Sequence, residues 1–242
     1  MDIKEKIRQL RESLHEHNYL YYIEDKPKIS DFEFDKMLKT LSNLEGKYPE
    51  FFDPNSPTQR VGGGITKNFN TQVHRYPMYS LSNTYSKEEL INWVGRVEKV
   101  LGDEKFEFTC ELKYDGASIS LTYEEGKFLR GVTRGDGAKG DDVSLNLRTI
   151  PTIPLELKGE YPTFFEIRGE IVLPLDGFKA INQQRLKLGE EPFMNPRNTA
   201  SGSLKLQDSR LVAERPLECF LYALAGENLG IKSQMAGLEK AR

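Results

Sequence analysis

The sequence predicts an α+β fold, with a small N-terminal helical module followed by a larger domain of antiparallel sheets and flanking helices. Three observations carry this. Apolar residues from Ile3 to Leu41 recur at three-to-four spacing. From Phe106 onward the period falls to two. Strands are then joined by tight turns such as Glu124-Glu125-Gly126-Lys127 with no crossover helix, which excludes a Rossmann unit.

Ile3, Ile7, Leu10, Leu14 and Tyr21 place the first helix, which a turn at Asp25-Lys26-Pro27 ends. Ser30 with Glu33 forms a capping box, and Phe34, Met37, Leu38 and Leu41 make the stripe of a second helix ending near residue 45. The stretch from Tyr48 to Gly64 is dense in proline, asparagine and glycine and reads as an irregular linker. Module and linker take residues 1–69, and the larger domain takes 70–242.

In that domain Ser86 and Glu89 cap a third helix whose Leu90, Trp93, Val94 and Val97 should face inward. Phe106, Phe108, Cys110 and Leu112 alternate with Glu107, Thr109, Glu111 and Lys113, so a strand here would carry Glu111 and Lys113 on one face. Ile119, Leu121 and Tyr123 continue as a second strand, and Phe128 to Arg134 returns from the turn. A polar glycine-rich loop, Arg134 to Asp142, precedes a strand Phe164 to Leu173 with Glu166, Arg168 and Glu170 on one face. A helix around Phe178, Ile181 and Leu186, a small-residue run Asn198 to Ser203 and a strand Cys219 to Leu224 complete the chain, without internal repeats.

Composition sets the outer limits. With 242 residues and 38% hydrophobic content the chain is globular, not disordered or fibrous. A net charge of −3 gives no global attraction to nucleic acid, so any polyanion must be met by local patches. Cys110 and Cys219 lie far apart in apolar patterns and read as buried small residues, not as a disulfide. His15, His17 and His74 lack ligand spacing, and two cysteines cannot build a four-cysteine zinc site, so neither zinc nor a protein-held metal is expected. No basic-then-apolar leader and no membrane-length apolar run is present, which points to a cytoplasmic protein without membrane contact. The absence of an evident apolar surface stripe predicts a monomer.

Lys113 stands out in the run Cys110-Glu111-Leu112-Lys113-Tyr114-Asp115-Gly116. A lysine on the polar face of a strand, just before an Asp-Gly turn, suits a nucleophile that takes up a nucleotidyl group. Its amine is protonated at neutral pH, so attack on phosphorus requires burial or nearby cations such as Arg134 to free the lone pair. Taken alone, Lys-Tyr-Asp-Gly is also an ordinary hairpin turn with an exposed lysine. Its company raises it: Glu111 on the same strand, Arg134 in Thr133-Arg134-Gly135-Asp136-Gly137, and Glu170 in Ile167-Arg168-Gly169-Glu170-Ile171.

With these residues in place, the chain resembles the NAD-dependent DNA ligases of bacteria over essentially its whole length. Tyr21-Tyr22 with Asp31-Phe32-Glu33-Phe34-Asp35 is similar to that family's nicotinamide-mononucleotide module, and Ser56 to Gly62 to its signature linker. Glu111 to Gly116 resembles its lysine motif, and Arg134 to Asp142, Arg168-Gly169-Glu170 and Asn195-Pro196-Arg197-Asn198 complete the likeness. The larger domain would thus be a nucleotidyltransferase, or adenylation, domain. The resemblance implies that Lys113 attacks the adenylyl phosphorus of NAD, forms AMP-lysine and expels nicotinamide mononucleotide, with magnesium or manganese screening the phosphates. The AMP would pass to a DNA 5′-phosphate and a nick in double-stranded DNA would be sealed, as replication and repair require.

By the same resemblance Glu111 would read adenine, Ser80 and Leu81 would border the nucleotide pocket, Arg134 would contact it, and Glu170 would face the ribose or metal. Asp31 and Asp35, one helical turn apart, would meet the cationic nicotinamide ring while Tyr21 or Tyr22 stacks on it. The alternative is a solvated acidic helix face. Arg197 and Lys205, flanked by Arg185, Lys187, Arg210 and Arg215, would contact the DNA backbone. The loop from Gly135 to Asp142 lacks the Gly-Lys-Ser/Thr ending of a phosphate loop and is not read as one.

Phe34 stands where the family often has tyrosine, and Tyr22 where histidine is common. The family's later Asp-Gly-Val-Val-x-Lys strand, the lysine strand after it, the OB-fold, the zinc module and the helix-hairpin-helix region are all missing from the sequence. The expectation is a C-terminally incomplete adenylation portion, weak or inactive in nick sealing by itself. The competing reading is a catalytically silent nucleotide- or DNA-binding fragment of the same fold. An ATP-using ligase or capping-type transferase shares Lys-x-Asp-Gly but leaves residues 1–60 unexplained.

Overall fold

A computed structural model describes residues 2–22, 24, 26–61 and 68–242, the side chains of Tyr22, Asp31 and Val61 excepted. The elements run in chain order as helices α1 (Ile3–Tyr22) and α2 (Asp31–Lys47), strand β1 (Thr71–Val73), helix α3 (Lys87–Leu101) and strands β2 (Ala117–Glu124), β3 (Lys127–Thr133) and β4 (Lys139–Asp141). Helix α4 (Ser144–Leu147), strand β5 (Phe164–Val172), helices α5 (Leu175–Lys187), α6 (Pro196–Leu204) and α7 (Ser209–Ala213), strand β6 (Glu218–Ala225) and helix α8 (Gln234–Ala241) follow. The α+β class is as expected.

The helical hairpin forms for the stated reasons. Ser30 accepts from the Glu33 amide while Glu33 accepts from the Ser30 amide, closing the capping box of α2. Ile7, Leu14 and Leu41 are buried between the helices, with Leu10, Phe34, Met37 and Leu38 packed around them. The linker is more regular than its composition suggests. It folds into 3-10 turns at Pro49–Phe51 and Pro57–Val61. Side chains tie it to the helices, because the Glu45 carboxylate accepts from the side chains of Ser56, Thr58 and Arg11. Part of the predicted turn, at Asp25, and the glycines at 62–64 lie outside the described residues.

The principal sheet is antiparallel throughout, in the order β3-β2-β5-β6. Glu125 and Gly126 both take positive φ, 48° and 74°, as a tight hairpin between β2 and β3 requires. The register sets Ser118 opposite Glu170, Ser120 opposite Arg168 and Thr122 opposite Glu166. Directly paired residues share a face, so these six make one polar side. Ile119, Leu121, Tyr123, Ile167 and Ile171 make the other and join the core beneath α4, α6 and α7. Asn146 fixes that layer: its buried amide donates to Leu204 O at 2.7 Å and Leu206 O at 2.8 Å.

Several expectations fail, each for a packing reason. The strand predicted over Phe106 to Lys113 does not form; residues 104–115 carry no regular structure. Both edges of β2 are already taken by β3 and β5, and no described strand pairs with this segment. Helix α3 forms behind its Ser86 cap but buries no residue. Leu90 is 48% and Trp93 40% exposed, although Val94 and Val97 are half-buried and Trp93 touches Phe108 at 5.2 Å between ring centres. The premise of the expected monomer, the lack of an apolar surface stripe, is therefore wrong. Cys110 is exposed, not buried, because it lies in the same unpaired segment. Part of the loop after Arg134 is strand β4, which pairs with the unforeseen β1. No described helix is long and apolar enough to cross a membrane.

Candidate active site

Lys113 precedes β2 by four residues, and the chain turns into that strand at Asp115-Gly116. The turn is tied to β5 by the Gly116 amide, which donates to Glu170 Oε1 at 3.2 Å. Only glycine fits there, since a Cβ would lie 2.1 Å from the Ile171 carbonyl oxygen. Asp115 pairs with Arg197 at 2.9 Å. Burial pushes the Glu170 carboxyl above its ordinary range, against the Gly116 and Ser118 hydrogen bonds and the nearby charges of Lys113 and Arg197, all of which pull it down. Lys113, Asp115, Glu170 and Arg197 thus gather at one corner of the polar sheet face. Lys113 itself is exposed, so burial does not supply the activation a lysine nucleophile needs.

Arg134 directly follows β3 beside this corner. Its amide donates to Ser118 O at 2.9 Å, and its carbonyl accepts from Gly137 N and lies 3.1 Å from His74 Nε2. The loop that follows folds on itself. Asp136 accepts from the amides of Ala138 and Lys139, which also hold its carboxyl below the usual range. With two of its amides so used, the loop does not present a row of donors to phosphate. Residues 74–78 run over it, with Met78 N donating to Gly137 O and Arg168 donating to Tyr76 O at 2.8 Å. Ser80 and Leu81 come directly after this strap and are exposed, with no hydrogen bond to the corner among the described residues.

Glu111 is held from the far end of the chain: Gln234 Nε2 donates to Glu111 Oε1 at 3.0 Å and to Tyr222 O at 2.6 Å. Tyr114 stacks on Phe220 at 4.2 Å and 5°, and the Tyr222 hydroxyl meets that of Ser118 at 3.2 Å. Strand β6 therefore receives Tyr114 directly and is linked to Glu111 through Gln234. The sequence reading missed Ser118, Tyr222 and Gln234. Ser118 was accessible through the strand alternation that placed Ile119 in the core. Nothing local marks Gln234, which is 123 residues from its partner.

The basic stretch is largely consumed internally. Arg197 pairs with Asp115, Lys205 with Asp141 at 2.7 Å, Arg185 with Glu190 and Arg210 with Asp208. Arg197 and Lys205 sit near opposite ends of α6, about 12 Å apart along its axis.

The helical module carries a cleft of about 270 Å³ lined by His17, Asn18, Tyr21, Pro27, Lys28, Ile29, Phe34 and Asp35. It brings together Tyr21, Phe34 and Asp35 of the predicted set. Glu33 is instead spent on the Ser30 cap, and Phe32 is exposed and outside the cleft. The side chains of Tyr22 and Asp31 lie outside the described residues. His17 and Asn18 were missed, although both share a helical face with Tyr21. Each keeps a buried nitrogen, His17 Nδ1 and Asn18 Nδ2, without a hydrogen-bond partner.

The cleft and the Lys113 corner lie on different sides of the sheet. Asn18 also lines a second cavity, of about 220 Å³, whose opposite wall is the apolar sheet face at Tyr123, Phe165 and Ile167. Arg60 holds this arrangement by donating to Ile150 O and Ile153 O at 2.9 and 2.8 Å, and Arg148 bonds Asn55. Among the described residues no three His, Cys, Asp or Glu form a metal-binding group, so the donor set does not fit a protein-held divalent ion.

This fold and polar face are those of an adenylation domain: residues 66–241 match the NAD-dependent DNA ligase adenylation domain, and residues 1–62 match the DNA ligase-like, N-terminal NAD+-binding domain. The chain belongs to the NAD-dependent DNA ligase family. Proteins named DNA ligase from Christiangramia forsetii, Flavobacterium johnsoniae and Bacteroides fragilis are 63%, 60% and 54% identical to it over 242 residues. Those matches cover all of this chain and 36% of each relative, so the chain spans about a third of their length.

Proposed function

We propose that residues 1–69 bind the nicotinamide-mononucleotide half of NAD and residues 70–242 the adenylate half, and that Lys113 is the nucleophile. The observation that carries this is the corner at the start of β2 where Glu170 lies within electrostatic reach of both Lys113 and Arg197. The Lys113 amine, once deprotonated, attacks the adenylyl phosphorus. The N–P bond forms as the P–O bond to nicotinamide mononucleotide breaks, and the nitrogen gives up a further proton. Arg134 and Arg197 offset phosphate charge, Glu111 accepts from the adenine amino group, and Glu170 faces the ribose. Ser80 and Leu81 border the adenylate.

Asp35 meets the cationic nicotinamide ring and Tyr21 stacks on it, with Phe34 as the apolar floor. Tyr22 and Asp31 join them. Magnesium or manganese would enter with the substrate phosphates, since the donors among the described residues form no cluster for it. In the complete protein AMP passes to a DNA 5′-phosphate, and Arg197 and Lys205, released from Asp115 and Asp141, reach the backbone of nicked DNA. A soluble cytoplasmic setting follows from that substrate.

A second reading, a silent nucleotide-binding fragment, is favoured by one observation: Lys113 is exposed in an unpaired segment. Intact mass after incubation with magnesium and NAD or ATP separates the two. An AMP adduct formed from NAD, weaker from ATP and absent in Lys113→Ala, is expected. An adduct from ATP alone overturns the NAD assignment, and NAD binding without any adduct establishes the silent fragment.

A further inference from the structure

We propose that Gln234 is a positioning residue that fixes Glu111 for recognition of the adenine amino group, and so sets the base selectivity of the site. This rests on the reading of Glu111 given above and extends it to a residue on α8. Both partners of the Gln234 amide, Glu111 Oε1 and the Tyr222 carbonyl, are acceptors, so the NH₂ group must face them and both of its hydrogens are used.

The two ends of this bridge differ in how firmly they are held. Glu111 lies in a segment with no strand pairing, so the backbone alone does not fix its carboxylate. Gln234 is the first residue of α8, which Ser233 caps by accepting from Ala236 N at 3.1 Å. Farther along, Lys240 donates to Leu229 O at 2.8 Å, tying the helix to the loop after β6. Gln234 thereby transfers the order of α8 and β6 to Glu111. Tyr114 is docked on the same strand through Phe220, so residues flanking Lys113 on both sides are referred to β6.

The chemical consequence is selective. Gln234 occupies one carboxylate oxygen of Glu111 and leaves the other as an acceptor. An exocyclic amine, as in adenine, donates to it. A 6-oxo group, as in hypoxanthine, presents a second acceptor and repels it, and a site built on such a hydrogen bond discriminates strongly. A loosened Glu111 would turn away from either base, and the discrimination would fade.

The test is titration calorimetry on the whole chain with NAD and with nicotinamide hypoxanthine dinucleotide, for wild type, Gln234→Ala, Gln234→Glu and Gln234→Lys. Wild type should prefer NAD by about tenfold, within the span of one to two hydrogen bonds. Gln234→Glu keeps the shape but loses the N–H donors, and it and Gln234→Ala should cut the preference below about threefold, mainly by weakening NAD. Gln234→Lys keeps donors and should retain the preference. A preference unchanged in Ala and Glu, or equal losses for both dinucleotides in all three variants, overturns the positioning role even where thermal stability falls. A wild type that does not distinguish the two ligands removes the reading of Glu111, and one that binds neither removes the adenylate site itself.

Discussion

His15 offers a pH test of how the helical module is docked. Its side chain is 11% exposed, and burial together with the charges of Arg60, Arg11 and Lys158 holds the imidazole down at about 4, from an ordinary 6.5. Asp53 pulls the other way, and Glu156 lies 3.7 Å from Nε2 on a largely exposed side chain, but neither outweighs desolvation and the three cations. The folded protein therefore binds this proton more weakly than the unfolded chain does. Stability from His15 is fully present above pH 6.5 and is lost as pH falls toward 4. At 1.36 kcal/mol per unit the ceiling is about 3 kcal/mol, of which about 2 kcal/mol disappears between pH 7 and pH 5. His15→Gln keeps the size of the group and cannot take up the proton. Urea unfolding from pH 7.5 to 4.5 should show wild type losing about 2 kcal/mol more than the variant by pH 5. Parallel pH profiles would refute the argument that a neutral, buried His15 sits in this joint.

Two further outcomes follow from single contacts. Asn146→Ala strands the carbonyls of Leu204 and Leu206 in the core and should cost about 2–4 kcal/mol in urea unfolding, whereas a loss below about 1 kcal/mol would mean water replaces the amide. Asp35→Ala should weaken NAD by about two- to fivefold, the scale of an exposed charge contact, and leave AMP unchanged; equal losses for both would remove the case for a mononucleotide cleft around Tyr21 and Phe34.

Much of the fold was legible because local rules and packing agree. The stripe from Ile7 to Leu41 and the alternation through β2 and β5 name the side chains that the core takes in, and the Ser30 capping box fixes where α2 begins. Where packing had no partner to offer, pattern misled. Phe106, Phe108, Cys110 and Leu112 alternate as a strand should, yet alternation specifies only which side chains share a face. A strand also needs a neighbour to accept its amides, and no described strand pairs with this segment. The apolar residues of α3 fail in the same way: Ser86 suffices to start the helix, but Leu90 and Trp93 stay 48% and 40% exposed, Phe108 covering Trp93 only in part.

The candidate site divides along the same line. Glu166, Arg168 and Glu170 were readable because period two carries them to one face, and the register then brings Ser118 opposite Glu170. In the module, the residues that the resemblance pointed to divide: Tyr21, Phe34 and Asp35 line the cleft, while the Glu33 carboxylate is engaged by the Ser30 cap. What no periodicity could convey is the closure of the site by distant chain. Arg197 reaches Asp115 from α6, Gln234 reaches Glu111 from α8, and Phe220 supports Tyr114 from β6. All three contacts fall on the six residues around Lys113. The segment that carries Lys113, the proposed nucleophile, is thus positioned by side chains from the second half of the chain and not by a strand of its own. Since that segment keeps Lys113 exposed, the proposed nucleophilic role leaves the bias that frees its lone pair to neighbouring cations such as Arg134, and not to burial.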